Sequence, residues 1–253
     1  MRSIILLFCL VIGIHTISLN AQTLSSDHFP NKNDTLKWTG NLNVNFNMVK
    51  NANRLLQINS RLNTKYQTQK HQFIFVNSFH FKEANSTELI HKGITQLNFT
   101  SRKNNRFNYE IFNHLQFNEI IYLKFRNVFG IGFRNRIYKS KKLVLNTGLA
   151  PMFEYAYFNK NNEKVFERNT RVNTYLSMVY FPHPQITINS STYFQPKINT
   201  IQNFRISNET RLTFKVTKNI GFNIHLMIWQ DAFNRYGINQ IQYKLNSGMT
   251  LML

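Results

Sequence analysis

The 253-residue chain contains a single cysteine, Cys9, and only 5 prolines, 9 glycines and 11 acidic residues. Cys9 lies within an N-terminal segment that we predict to be removed, which leaves no thiol in the exported protein. The exported protein would therefore have no disulfide, no thiolate metal site and no cysteine nucleophile. Beyond that segment, no apolar run approaches the roughly 20 residues that a membrane-spanning helix needs, which excludes a helical membrane protein.

The N-terminal segment has the organisation of a secretory signal peptide. Arg2 supplies a basic start, residues 4–14 form an apolar run without acidic residues, and Ala21 is a small residue suited to cleavage. An uncleaved membrane anchor is the alternative, but the apolar run is short for a membrane span. We predict a cleaved signal peptide at 1–21, a polar N-terminal lead-in at 22–36 and one β-barrel domain at 37–253.

Aromatic residues are abundant, with 23 Phe and 11 Tyr, and apolar and polar residues alternate along most of the chain. Between 220 and 228, for example, Ile220, Phe222, Ile224, Leu226 and Ile228 share one face of a predicted strand. About twelve such segments of about ten residues predict an all-β fold, a transmembrane antiparallel β-barrel. We expect short periplasmic turns and longer extracellular loops, including loops at 83–88 and 159–167. The alternative, a water-soluble sandwich, has shorter strands and more Gly and Pro.

The chain is strongly basic, with 31 Lys and Arg against 11 acidic residues. Nucleic-acid binding is not favoured, because the cations are scattered singly and form no basic helix or binding motif. They fall instead on the strand faces opposite the apolar residues, which predicts a charge network in the barrel lumen. The predicted network comprises Arg61, Lys65, Glu110, Arg126, Arg134, Arg136, Glu154, Arg171, Arg205, Glu209, Arg211 and Lys215. The fourth strand, around 89–100, is an exception, because His91 and Lys92 fall on opposite faces.

The short turns carry basic residues and no acidic ones, which predicts a basic periplasmic rim. Its members are Lys70, Arg102, Lys103, Arg106, Lys139, Lys141, Lys142 and Lys218. Such a rim could bind anionic lipid headgroups or cell-wall carboxylates. The alternative explanation is that these charges keep the unfolded chain soluble before assembly.

Two parts of the sequence resemble known proteins. Asn246, Gly248, Leu251 and Leu253 match the C-terminal signal that the barrel-assembly machinery reads in outer-membrane barrels. From residue 168 onward, the chain resembles an uncharacterised outer-membrane barrel family called salt-induced outer-membrane proteins, a domain of unknown function. The resemblance lies in 193–196 (YFQP), 204–210 (FRISNET), 212–218 (LTFKVTK) and 237–238 with Tyr243 and Leu245. It implies a barrel in the bacterial outer membrane, but no activity and no site residues.

No residue pattern predicts catalysis, a metal site or a cofactor. His80, His114 and His225 fall on the predicted lumen face, whereas a lipid-cleaving barrel needs a Ser–His pair at its lipid-facing rim. The segment 130–132 (GIG) lies within a strand and has no following helix, so it is not a phosphate loop. It is better explained by a bend or a close approach of the lumen contents.

Two functions remain open. The barrel is either a narrow channel that favours small anions or a non-conducting structural barrel of the envelope with a salt-bridged lumen. A lipid-modifying enzyme is the least favoured reading. The expected partners are outer-membrane lipid, the assembly machinery, and small anions or the cell wall.

Overall fold

The computed structural model describes residues 37–50, 54–101, 106–217, 220–233 and 241–251. The predicted signal peptide and lead-in lie outside these residues. Twelve strands make up nearly all of the described chain: β1 (Lys37–Lys50), β2 (Arg54–Gln67), β3 (His71–Ala84), β4 (Thr87–Ser101), β5 (Phe107–Asn118), β6 (Leu123–Lys139), β7 (Leu143–Lys160), β8 (Glu163–His183), β9 (Ile186–Phe194), β10 (Arg205–Lys215), β11 (Ile220–Asp231) and β12 (Ile241–Leu251). A short 3₁₀ helix, Glu119–Ile121, joins β5 to β6. No helix in the described ranges has both the length and the apolar character needed to cross a membrane.

Each strand pairs antiparallel with the next one along the chain, so the sheet order is β1 to β12 without a crossover. The sheet curls until its two halves face each other. Arg61 on β2 lies within electrostatic range of Glu209 and Arg211 on β10, and Lys92 on β4 lies within range of Lys244 on β12. The prediction of an antiparallel barrel of twelve strands is confirmed.

The connections define two ends of the barrel. Among the connections that the structure describes in full, the upper end carries 85–86, 119–122, 161–162 and 195–204, and the lower end carries 68–70, 140–142 and 184–185. The longest of these, 195–204, belongs to the upper end, which the sequence predicts to be extracellular.

Two other upper connections are shorter than the sequence predicts. The loops expected at 83–88 and 159–167 are two-residue turns at 85–86 and 161–162, because Ala84 pairs with Thr87 and Lys160 pairs with Glu163. Both central residues of each turn have positive φ, from 49° to 68°. Asparagine tolerates this conformation well, and such turns match the twist of a β-hairpin. The polar residues around the turns therefore lie in strands.

The outer surface of the barrel is apolar, as the alternation predicts. Ile131, Leu149 and Leu176 are half exposed on this surface, and aromatic residues such as Phe133 and Phe153 lie to either side along the strands. Most polar and charged strand residues lie on the inner face, together with buried apolar residues such as Val128 and Met152. The apolar outer surface is the kind of surface that lipid covers.

The fourth strand follows the same rule as the others. Ile90, Lys92 and Ile94 all face inward and are buried, whereas His91 faces outward and contacts the rings of Phe79 and Phe117. Because apolar residues lie on both faces of β4, hydrophobicity alone does not indicate which face is inside. Lys92 belongs to the lumen.

Glycines on the inner face make room for aromatic rings. A Cβ atom on Gly130 would lie 2.2 Å from the ring of Phe112, and one on Gly148 would lie 2.1 Å from the ring of Tyr175. The rings of Phe112 and Tyr175 therefore lie against the wall of neighbouring strands. The segment 130–132 is explained by this close packing and not by a ligand-binding loop.

Candidate functional site

The candidate site is a layer of ion pairs inside the upper half of the barrel, centred on Glu154 of β7. The Glu154 side chain is fully buried and three guanidinium groups surround it. Arg171 Nε donates to Glu154 Oε2 at 3.0 Å, and Arg205 Nη1 lies 2.8 Å from both carboxylate oxygens. Arg126 Nε lies 2.8 Å from Oε1, although its N–H is not directed at an acceptor.

Two further contacts complete this layer. Arg205 Nε donates to Asp231 Oδ2 at 2.8 Å, which ties the first residue of β10 to the last residue of β11. Arg126 Nη1 makes a long contact of 3.4 Å with Gln116 Oε1 on β5. We call Arg126, Glu154, Arg171, Arg205 and Asp231 the Glu154 layer. Its three cations and two anions leave one positive charge uncompensated within the layer.

Arg171 also holds the connection 195–204 against the barrel. Its Nη1 donates to the backbone oxygens of Gln195 and Asn203 at 3.0 and 2.9 Å, and its Nη2 donates to Asn203 Oδ1 at 2.9 Å. The same connection pairs with β8, because Val172 N donates to Pro196 O at 3.1 Å and Ile198 N donates to Thr170 O at 3.0 Å. The connection is therefore ordered by a lumen arginine.

An apolar cluster also lies at the upper end. Leu123, Ala156 and Phe158 are buried together, with Ile121 and Val165 packed against them. These residues lie where the β7–β8 hairpin extends past the end of β9. The last residue of β9, Phe194, pairs with Thr174. The cluster fills space on the inner face of this hairpin.

Below the Glu154 layer lies a partly enclosed pocket lined by β4 to β9. Arg126 lies at its upper part, and Arg134 with Glu110 at its lower part. Tyr175 Oη donates to Glu110 Oε2 at 2.6 Å, and Arg134 Nη1 makes a longer contact of 3.4 Å with Glu110 Oε1. The pocket thus extends along the lumen from the Glu154 layer to a second ion pair.

The remaining residues of the predicted lumen network take up several positions. Glu209 lies 2.6 Å from His225 Nε2, with Arg61 and Arg211 within electrostatic range. Lys65 is buried and Arg136 is half-buried on the inner face. Lys215, the last residue of β10, is exposed. Six of the predicted arginines thus lie near three separate acidic residues, Glu154, Glu110 and Glu209, whereas Lys215 is exposed at the end of β10.

The lumen also contains charged residues that the sequence analysis did not select. Lys92 and Lys244 face inward on β4 and β12, and Asp231, the last residue of β11, belongs to the Glu154 layer. The position of Lys244 could be predicted from the sequence, because even-numbered residues share the inner face of β12. Asp231 carried none, because its role depends on where Arg205 lies.

The three histidines considered for catalysis lie inside the barrel. His80, His114 and His225 are all buried, and His114 Nε2 lies 3.1 Å from Asn98 Oδ1. A lipid-cleaving pair would need to face lipid, and these side chains do not. Within the described ranges, no group of three or more His, Cys, Asp or Glu residues could hold a metal ion.

The predicted basic rim lies at the lower end where the structure describes it. Lys70, Arg106, Lys139, Lys141 and Lys142 are exposed there, whereas Arg102, Lys103 and Lys218 lie outside the described residues. For the assembly signal, Asn246, Gly248 and Leu251 lie on β12, and Leu253 lies outside the described residues.

Comparison with known proteins assigns the chain to a family. Residues 53–239 match the model of a family described as a protein of unknown function, DUF481. The chain belongs to this family. The DUF481 match covers β2 to β11 and so includes the whole Glu154 layer, and the resemblance predicted from the C-terminal third is confirmed. Its description names no activity.

No curated protein matches the chain. Among solved structures, the chain is similar to the NanC porin, with 13% sequence identity and a TM-score of 0.48. The alignment covers 78% of this chain and 94% of the porin chain.

Proposed function

We propose that this DUF481 protein is an outer-membrane β-barrel whose narrow lumen favours small anions. The proposal rests on one observation: buried Lys and Arg side chains on the inner face outnumber the acidic ones. Within the Glu154 layer alone, three guanidinium groups share two carboxylates. In a confined lumen of low effective dielectric, uncompensated positive charge attracts anions and repels cations.

The outer surface supports the location. A half-exposed band of Ile131, Leu149 and Leu176 would be covered by lipid tails, which removes apolar area from water. Cations on this surface would be costly at the bilayer centre, and the inward cations avoid that cost. The proposal therefore places the apolar face in lipid and the cations in the lumen.

The test is ion selectivity in planar lipid bilayers, measured with the full-length protein under a salt gradient. We expect a reversal potential whose sign shows that anions cross the barrel more readily than cations. The preference should decrease from 0.1 M to 1 M salt, because the screening length falls from about 10 Å to about 3 Å. Arg134→Gln, which removes a lumen charge, should reduce the preference. Arg168→Gln removes an exposed charge from the outer face and should leave it unchanged. Cation preference would refute the proposal.

A second function is favoured by the upper end of the barrel. The buried cluster of Leu123, Ala156 and Phe158 and the Arg171-held connection 195–204 both reduce open space there. A lumen blocked in this way would make the protein a non-conducting structural barrel of the envelope. Absence of conductance at every salt concentration, from a protein that is folded in the same bilayers, would favour this second function.

A further inference from the structure

The pocket below the Glu154 layer contains hydrogen-bond donors that the fold does not use. Gln116 is more than nine-tenths buried, lines the pocket, and its Nε2 atom has no hydrogen-bond partner. Its Oε1 atom makes only the long 3.4 Å contact with Arg126 Nη1. Leaving a buried amide donor unpaired is unfavourable, so this amide is suited to an acceptor that enters the pocket.

The uncompensated charge of the layer lies next to the same amide. Asp231 is bound to Arg205, and Arg171 has three acceptors besides Glu154. Arg126 has the fewest contacts of the three arginines, namely Glu154 and the long contact with Gln116. Its Nη groups and the Gln116 amide therefore form neighbouring donors at the wall of one pocket. A carboxylate accepts such a pair of hydrogen bonds and neutralises the charge.

The rest of the pocket is suited to an apolar body. Phe112, Val128 and Met152 line it, and the ring of Tyr193 lies 5.3 Å from that of Tyr175 at its wall. An inorganic anion would leave these surfaces without a partner. Ligand sites in proteins commonly combine an apolar wall with a few polar groups that orient the ligand.

We propose that this pocket binds a small organic carboxylate. The carboxylate group lies between the Arg126 guanidinium and the Gln116 amide, and the apolar or aromatic body lies against Phe112 and Met152. This inference rests on the proposed function in one respect, because the ligand must reach the lumen. It adds a chemical class of ligand and a place where that ligand is held.

The probe is benzoate, measured by isothermal titration calorimetry with the full-length protein in detergent micelles and corrected for empty micelles. Benzamide has the same ring and shape without the charge. We expect benzoate to bind at least about tenfold more tightly than benzamide, since a hydrogen bond to a charged group contributes about 1.5–3 kcal/mol. Acetate, which has no ring, should bind more weakly than benzoate.

Two variants locate the binding site. Gln116→Leu replaces the amide by an apolar side chain of similar size, and we expect it to weaken benzoate binding about tenfold or more. Lys142→Gln removes an exposed cation at the lower rim and should leave benzoate binding unchanged. Far-ultraviolet circular dichroism on both variants verifies that the barrel is folded.

Equal binding of benzoate and benzamide, or equal benzoate affinity in Gln116→Leu and the parent, would overturn the inference. Calorimetry does not require conduction, so the two proposals fail separately. Anion selectivity without benzoate binding would refute only the pocket. Benzoate binding without conductance would refute only the channel.

Discussion

Arg205 and Glu154 are 51 residues apart in the chain, yet Arg205 Nη1 lies 2.8 Å from both carboxylate oxygens of Glu154. Arg205 begins β10 and Glu154 lies on β7, so this contact bridges strands that do not pair with each other. It forms because the sheet curls and because β9 ends before it reaches this level. The Glu154 layer therefore depends on the curvature of the sheet, and its contribution to stability can be measured.

Glu154→Gln removes the carboxylate that three arginines share. The guanidinium groups would repel one another in a buried setting, and we expect a loss of about 3–5 kcal/mol in the free energy of unfolding. Denaturant unfolding of the refolded protein measures this loss. Glu163→Gln, at the exposed 161–162 turn, is the control and should change stability by no more than about 0.5 kcal/mol. Equal stability of Glu154→Gln and the parent would mean that the layer does not stabilise the barrel.

Arg171→Gln should release the connection 195–204. The shorter side chain cannot make the three hydrogen bonds that Arg171 donates to Gln195 and Asn203. We expect trypsin to cleave after Lys197 in this variant much faster than in the parent, as detected by mass spectrometry. Arg168→Gln, three residues earlier on the outer face of β8, is the matched control and should resist cleavage as the parent does. Resistance of Arg171→Gln at Lys197 would contradict the role of Arg171.

Gly132→Ala should strain the β6–β7 pair. The added Cβ would lie 2.3 Å from both the Ala150 Cβ and the backbone oxygen of Leu149, so the two strands must separate. We expect a loss of about 1–3 kcal/mol in the free energy of unfolding. Gly248→Ala is the control, because nothing lies within 4 Å of the added atom. Denaturant unfolding of both variants measures the two losses in the free energy of unfolding. Equal losses would refute the close packing at Gly132.

Leu149→Arg and Leu89→Arg together test whether lipid surrounds the barrel. Both leucines are about half exposed, at 52% and 48%, so a water-soluble protein would tolerate both changes similarly. In lipid, Arg at 149, well inside β7, should cost about 2–4 kcal/mol, whereas Arg at 89, beside the 85–86 turn, should cost about 0–1 kcal/mol. Unfolding from lipid vesicles measures the two values. Equal effects, or a protein that stays monomeric in water without detergent, would rule out the membrane location.

The basic rim can be tested by charge removal. Replacing Lys139, Lys141 and Lys142 with Gln should weaken binding to anionic vesicles or isolated cell wall at low salt, since each cation near an anionic surface contributes about 1 kcal/mol. Sedimentation with the vesicles or wall measures the bound fraction. The control replaces Lys50, Lys124 and Lys164 at the upper end, which removes the same charge from the other side. If both triple variants bind like the parent, the rim serves only to keep the unfolded chain soluble.

The alternation of apolar and polar residues was sufficient to predict the strands, their number and the inner face of Arg126, Glu154, Arg171 and Arg205. This succeeds because the direction of a side chain in a strand depends only on the parity of its position. Parity was insufficient on β4, where Ile90, Lys92 and Ile94 share the inner face. Loop lengths at 85–86 and 161–162 were also missed, because polar residues beside a turn look the same whether or not they pair.

The partners of the inward charges were decided only by the tertiary structure. Parity places Glu154, Glu209 and Glu110 inside, but it does not indicate that three arginines meet at Glu154 while Glu209 contacts His225. Those contacts depend on strand register, on the early end of β9 and on the curvature that brings β10 to β7. These are relations between strands that are distant in the sequence, and a local sequence pattern contains no information about them.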